Sequence, residues 1–173
     1  MAEKSRPKIG ILMGSDSDLD IMAEAEKRLD GFGIPYETRI LSAHRTPHET
    51  QKYAESAIER GLEAIIVGAG AAAHLAGVIA AHTTLPVIGV PIDSSALKGL
   101  DALLATVQMP GGIPVATMAI DKAGAVNAAI FAAEILGLSD PDIARRLTAH
   151  KEDLVRGVAE KNARLQEQLG QKK

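Results

Sequence analysis

The chain predicts a three-layer αβα domain, with five parallel strands between helices and a long extra helix at its C-terminal end. Three observations predict it. Strand-like apolar runs and helix-like amphipathic runs alternate along the chain. Hydrophobic residues make up 46% of the 173 positions and aromatics only 2%, so the core is aliphatic and suits closely packed helix-on-sheet layers. That length fits one domain, and neither a fixed-period repeat nor a low-complexity linker divides it.

Lys8 to Met13 is a short apolar strand. Leu19, Met22, Ala25, Leu29 and Phe32 then share one helical face, ended by Gly31 and Gly33. Tyr36 to Leu41 reads as the second strand and Glu49 to Arg60 as its helix. Ala64 to Val67 is a continuous apolar run, as a strand buried on both faces requires. A helix over Ala72 to His82 follows it. Pro86 introduces a fourth strand, Val87 to Val90, with a helix over Ala96 to Thr106. Pro114 introduces the fifth, Val115 to Ile120, and Ala123 to Leu136 is an alanine-rich helix ended by Gly137. Right-handed crossovers turn this repetition into a parallel sheet, and the preferred strand order is flavodoxin-like.

The last segment departs from the pattern. Ser139-Asp140-Pro141-Asp142 is a helix start, and Ile143, Leu147, Leu154, Val158 and Leu165 form one stripe on a long charged helix. The sheet already has its helices, so this one is expected to pack on a neighbouring subunit; the alternative is that it folds back on its own domain. The expected division is a loose N-terminus over 1–6, a flavodoxin-like catalytic domain over 7–138, and a terminal helix over 139–173 with a frayed tail.

Composition removes several function classes. Net charge is −3 and no long basic run precedes the short Lys172-Lys173 tail, so no footprint for nucleic acid is visible. The absence of cysteine excludes disulfides, thiolate metal sites and cysteine nucleophiles. No tight cluster of His, Asp and Glu at ligand spacing suggests a metal. Met1 to Arg6 is short and polar, unlike a signal peptide, and the apolar stretch Ala69 to Ala81 is too short to span a bilayer. The expectation is a cytoplasmic protein with no membrane partner.

Three segments fall where strands end. Ser42-Ala43-His44-Arg45-Thr46-Pro47 joins the second strand to its helix. In an open α/β sheet, ligands bind at that edge. There, Arg45 suits a phosphate or carboxylate and His44 suits proton transfer near neutral pH. Gly14-Ser15-Asp16-Ser17-Asp18 opens the first helix; its free N–H groups and hydroxyls favour an anion, and Asp18 suits ribose hydroxyls. Simple N-capping by Ser or Asp explains the same residues and stays open. Gly68-Ala69-Gly70-Ala71-Ala72-Ala73-His74-Leu75 lets a ligand approach the backbone, or merely packs helix on sheet. His74 reads most readily as a structural hydrogen-bonder, while His48, His82 and His150 read as capping or solvated. Gln108 to Pro114 falls at the opposite, N-terminal edge and reads as a rigid turn, a subunit contact or part of a neighbour's pocket. The Gly14 to Asp18 segment lacks the Walker lysine and the G-x-G-x-x-G spacing, and no G-x-S-x-G elbow appears.

Together these segments carry a resemblance. MGSDSD (13–18), SAHRTP (42–47), GAGAAAHLAG (68–77), PVIGVP (86–91), QMPGGIPVATMAI (108–120) and NAA (127–129) stand in the order of the PurE family, and the likeness covers about Pro7 to Leu147. Arg45-Thr46-Pro47 resembles the microbial mutase branch rather than the carboxylase branch. Ala71 and Ala76 depart from it, standing where many mutases have glycine and proline.

The resemblance implies a mutase converting N5-carboxyaminoimidazole ribonucleotide to 4-carboxy-5-aminoimidazole ribonucleotide in purine biosynthesis, without a cofactor. It implies that His44 is the acid/base, that Ser15, Ser17 and Arg45 hold the phosphate, that Gly14 shapes that loop, and that Asp18 holds the ribose. Ser42 and Ala43 would border the base, with Gly70, Ala71, Ala72, His74 and Leu75 beside the carboxyl group or carbon dioxide. It further implies a homo-oligomer, an octamer in this family, and functional coupling to the synthetase that forms the carbamate. The alternatives are a carboxylase using free carbon dioxide and, from another class, a non-catalytic nucleotide or flavin-binding module.

Overall fold

The computed structural model describes residues 6–170. The loose segment expected before Arg6 and the frayed tail beyond Gly170 lie outside the described residues. Among the described residues, five strands, all parallel, stand in the order β2-β1-β3-β4-β5. They are β1 (Ile9–Met13), β2 (Tyr36–Ile40), β3 (Ala64–Gly70), β4 (Val87–Ile92) and β5 (Ala116–Thr117). This is the flavodoxin-like order, with its switch point between β1 and β3.

The helices are α1 (Leu19–Gly31), α2 (Pro47–Glu55), α3 (Leu75–Ala81), α4 (Leu100–Val107), α5 (Asp121–Gly137) and α6 (Pro141–Gly170). The sheet divides the core in two. Met22, Ala25 and Leu29 of α1 pack with the alanines of α5 under Ile9, Ile11, Ile66 and Ile88. Tyr53 and Ala54 of α2, Leu75 and Ile79 of α3 and Ala102 of α4 cover Leu12, Ile65 and Val67 on the other face. Ala125, Ala128, Ala129, Ala132 and Ala133 are fully buried, which lets α5 lie close to sheet and neighbour where larger side chains would hold it off.

Several boundaries differ from expectation, each for a local reason. Strand β3 runs three residues past Val67, because Gly68, Ala69 and Gly70 remain paired with Val90, Pro91 and Ile92. Helix α3 begins at Leu75, not Ala72, because Ala71 has φ +50° and the following N–H groups close tight turns. Helix α4 begins only at Leu100, after Lys98 (φ +55°) and Gly99 (φ +79°). Helix α2 ends at Glu55 and turns lead to Gly61. Strand β5 is two residues long; as an edge strand it pairs only with Ile88 and Gly89.

Helix α6 has two unlike halves. Asp140 caps it, its Oδ1 accepting from the N–H groups of Asp142 (3.0 Å) and Ile143 (3.2 Å). Ile143 is buried, and Leu147 packs on the same core. Arg146 donates to the Phe32 carbonyl, and His150 meets the Phe32 ring edge-on at 5.6 Å. The first three turns therefore fold back on their own domain. Beyond Lys151 the helix is bare, with Leu154, Val158 and Leu165 each at least half exposed.

Candidate active site

Four loops at the C-terminal ends of β1 to β4 enclose a cavity of about 300 Å³. From the first come Gly14, Ser15, Ser17 and Asp18. Residues Asp16–Asp18 form one 3₁₀ turn that Ser15 caps, its Oγ accepting from the Ser17 N–H at 3.3 Å. The capping reading of these residues therefore holds, and it leaves both hydroxyls on the cavity wall. Asp18 is only 6% exposed and accepts from the Ser17 hydroxyl at 3.2 Å. Burial holds its pKa above the usual aspartate range; the Ser17 hydroxyl and nearby backbone N–H groups pull it down less strongly.

The second loop brings Ser42, Ala43, His44 and Arg45. A knot of threonine hydroxyls fixes its shape. Thr46 Oγ1 accepts from the Ser42 N–H at 2.9 Å, and Ser42 Oγ accepts from the Arg45 N–H at 3.1 Å. Fully buried Thr50 donates to the Thr46 carbonyl at 2.9 Å. Pro47 opens α2 where its missing N–H is no loss. The exposed His44 and Arg45 thus project from a backbone that is itself well bonded.

The third loop contributes Ala69, Gly70, Ala71, Ala72 and Leu75, and the fourth Ser94. Gly70 has a definite steric role: a Cβ there would stand 2.0 Å from Ser94 Oγ and 3.1 Å from the Ile92 carbonyl. His74 does not line the cavity. It stands behind His44, with His44 Nε2 and His74 Nδ1 2.8 Å apart and the rings edge to face at 81°. One of these nitrogens must carry a proton and the other a lone pair, so the tautomers of the two rings are linked and His74 sets the tilt of His44.

The sequence names every other cavity residue except Ser94, with Ala69 placed in the Gly68 to Leu75 segment but given no role of its own. Ser94 escaped because it follows the fourth strand outside any glycine-rich signal. Thr46 and Thr50 were also passed over as the braces of the second loop; a threonine four residues after Ser42 was their only trace. The remaining histidines lie elsewhere: His48 starts α2, His82 caps α3 3.7 Å from Glu55, and His150 packs on Phe32. The Gln108–Pro114 loop is absent from the cavity wall; its Met109 packs against Gly77.

The arrangement suits a phosphorylated sugar. Arg45 and the hydroxyls of Ser15 and Ser17 match a phosphate, and buried Asp18 matches sugar hydroxyls. The small residues of the third loop leave room for a planar group beside the His44 ring. Among the described residues, no group of three acidic or histidine side chains is placed to hold a metal ion.

The model of the AIR carboxylase family matches residues 8–156. An N5-carboxyaminoimidazole ribonucleotide mutase of Pyrococcus horikoshii is 57% identical over 165 residues, covering 95% of this chain and 92% of that protein. The protein of the same name from Bacillus subtilis is 54% identical over 160 residues, covering 92% and 99%. Among solved structures, Treponema denticola PurE superposes with a TM-score of 0.82 at 31% identity, covering 92% of this chain and 99% of that one.

Proposed function

The chain belongs to the AIR carboxylase family, and we propose that it is an N5-carboxyaminoimidazole ribonucleotide mutase, an isomerase of purine biosynthesis. The observation that carries this reading is the seating of His44. It stands at the rim of a cavity lined by Arg45 and two serine hydroxyls, beside a loop of small residues. That is one proton-transfer group, one phosphate grip and one place for a small planar group.

Ser15, Ser17 and Arg45 hold the phosphate, and Asp18 holds the ribose. Protonated His44 donates to the exocyclic nitrogen as the N–C bond of the carbamate breaks, leaving aminoimidazole ribonucleotide and carbon dioxide. The C4 carbon then attacks the carbon dioxide held against Gly70, Ala71 and Ala72. Neutral His44 takes the proton from C4, which restores the aromatic ring and returns the histidine to its starting state. The proton count closes on one side chain, and the carboxyl group never leaves the cavity. Confinement of the carbon dioxide is therefore the main service of the site.

Substrate labelled with carbon-13 in the carbamate, turned over in unlabelled bicarbonate, tests this. Label retained on C4 is the expected result. Label exchanged with the buffer pool would assign the carboxylase reaction with free carbon dioxide instead.

The bare half of α6 supports a homo-oligomer in which this half lies on a neighbour; the octamer, the coupling to the carbamate-forming synthetase and the cytoplasmic location are proposed from the family resemblance. Among the described residues no helix is long and apolar enough to cross a membrane. A native mass equal to one 18.1 kDa chain would overturn the assembly.

A further inference from the structure

We propose that Ser94 is a further substrate-contacting residue, its hydroxyl donating to the carboxyl group in transit, and that Asp121 is the positioning residue that holds it in place. This rests on the mutase reading and adds to it the fourth loop, which that mechanism leaves without a role.

Ser94 lines the cavity, and its side chain lies over the Cα of Gly70, beside the stretch that receives the carboxyl group. Among the described residues its hydroxyl makes no hydrogen bond. Its neighbour Ser95 is fully engaged, donating to Asp101 Oδ2 at 2.7 Å and accepting from the Leu97 N–H at 3.1 Å. One serine of the pair thus builds the turn and the other is left free toward the cavity.

The turn is held more firmly than a connection needs. Asp121 Oδ1 accepts from the Asp93 N–H at 2.8 Å, tying the start of α5 to the end of β4. Lys98, Gly99 and Asp121 all adopt positive φ, at +55°, +79° and +59°, and two of the three are not glycine. A Cβ on Gly99 would stand 2.7 Å from Ile120 and 3.4 Å from the Asp93 backbone, so the two loops are closely fitted. Backbone strain of this kind persists where the surroundings over-determine it, and it concentrates at sites that need fixed geometry. The chemistry supplies the reason. A carboxyl group leaving nitrogen and joining carbon needs a donor that stays put while its carrier changes. A neutral hydroxyl does this without competing for the proton that His44 moves.

The test uses Ser94→Ala, Asp121→Ala and Asp121→Asn in the labelled-carbamate assay, each first shown to melt as a folded protein. Ser94→Ala is expected to lose about tenfold in kcat, the worth of one hydrogen bond to a charged group. It is also expected to release more label to the bicarbonate pool, with KM within a factor of about two, since the phosphate grip is untouched. Asp121→Ala should do the same. Asp121→Asn should recover most of the loss, because asparagine keeps the acceptor oxygen and tolerates positive φ. Native kcat and native label retention in Ser94→Ala would overturn the Ser94 assignment. Asp121→Asn as poor as Asp121→Ala would overturn the positioning role. Failure of the unaltered protein to retain label would instead overturn the mutase reading, so the two failures are separable.

Discussion

At the N-terminal ends of the strands, the charges of Lys8 and Arg60 are answered. Lys8 meets Glu63 at 3.1 Å, and Arg60 pairs with Glu37 while its guanidinium lies 4.2 Å over the Tyr53 ring. At the C-terminal ends of the same strands, His44, Arg45 and Ser94 are exposed, and Asp18 is buried with its charge only partly compensated. One edge of the sheet holds the domain together and the other holds groups in readiness for a ligand. Substitutions should therefore divide: those at the second edge change turnover with little loss of stability, and those at the first do the reverse.

The largest effect is expected at His44. Asparagine keeps a hydrogen-bonding nitrogen near His74 but cannot carry the proton, so His44→Asn should lower turnover by about 10²–10⁴. The ring is exposed and, among the described residues, only His74 bonds it, so the thermal midpoint should stay within a degree or two of the native value, on the order of 0.5 kcal/mol. Turnover within tenfold of native would break the acid/base assignment; a collapsed melt would break the comparison of edges.

Arg60→Ala is the converse. It removes the pair with Glu37, the bonds to the Tyr53 carbonyl (3.1 Å) and Ser56 Oγ (3.2 Å), and the stacking over Tyr53. Together these should destabilise the domain by about 2 kcal/mol in denaturant titrations. At saturating substrate, turnover per folded molecule should be unchanged. A fall in turnover without a fall in stability would mean that the two edges communicate.

The legibility of the chain follows the same division. The strand order, the aliphatic layers and the edge on which ligands bind come from periodicity and topology, which act on long runs of residues. The boundaries at Leu75 and Leu100 did not, because they depend on positive φ at Ala71 and Lys98, which neither residue type advertises. The first three turns of α6 were assigned to a neighbour because an amphipathic stripe says that a face is covered, not by what. Only the structure separates Ile143 and Leu147, packed at home, from Leu154 onward. Within the site, residues in marked motifs were readable from composition and order. Ser94 was not, since its case rests on Gly70 being opposite it across two strands.

The smallest effect expected tests the comparison most sharply, because it should raise stability at the binding edge. Asp18 has its pKa raised in the folded state, chiefly by burial. The folded protein therefore holds this proton more tightly than the unfolded chain does. Its contribution to stability is present below the ordinary aspartate pKa and is lost as pH rises through the folded value. At neutral pH the ionised carboxylate is a net burden on the fold. Asp18→Asn keeps an acceptor for the Ser17 hydroxyl and removes the charge, so it should melt slightly above the native protein at pH 7. That advantage should shrink as the pH falls through the folded value and Asp18 takes up its proton. Substrate should bind less tightly, because asparagine accepts more weakly from ribose hydroxyls than a carboxylate does. A variant that melts lower at pH 7 would show that the charge at Asp18 is stabilised by its loop, and that the binding edge carries no such burden.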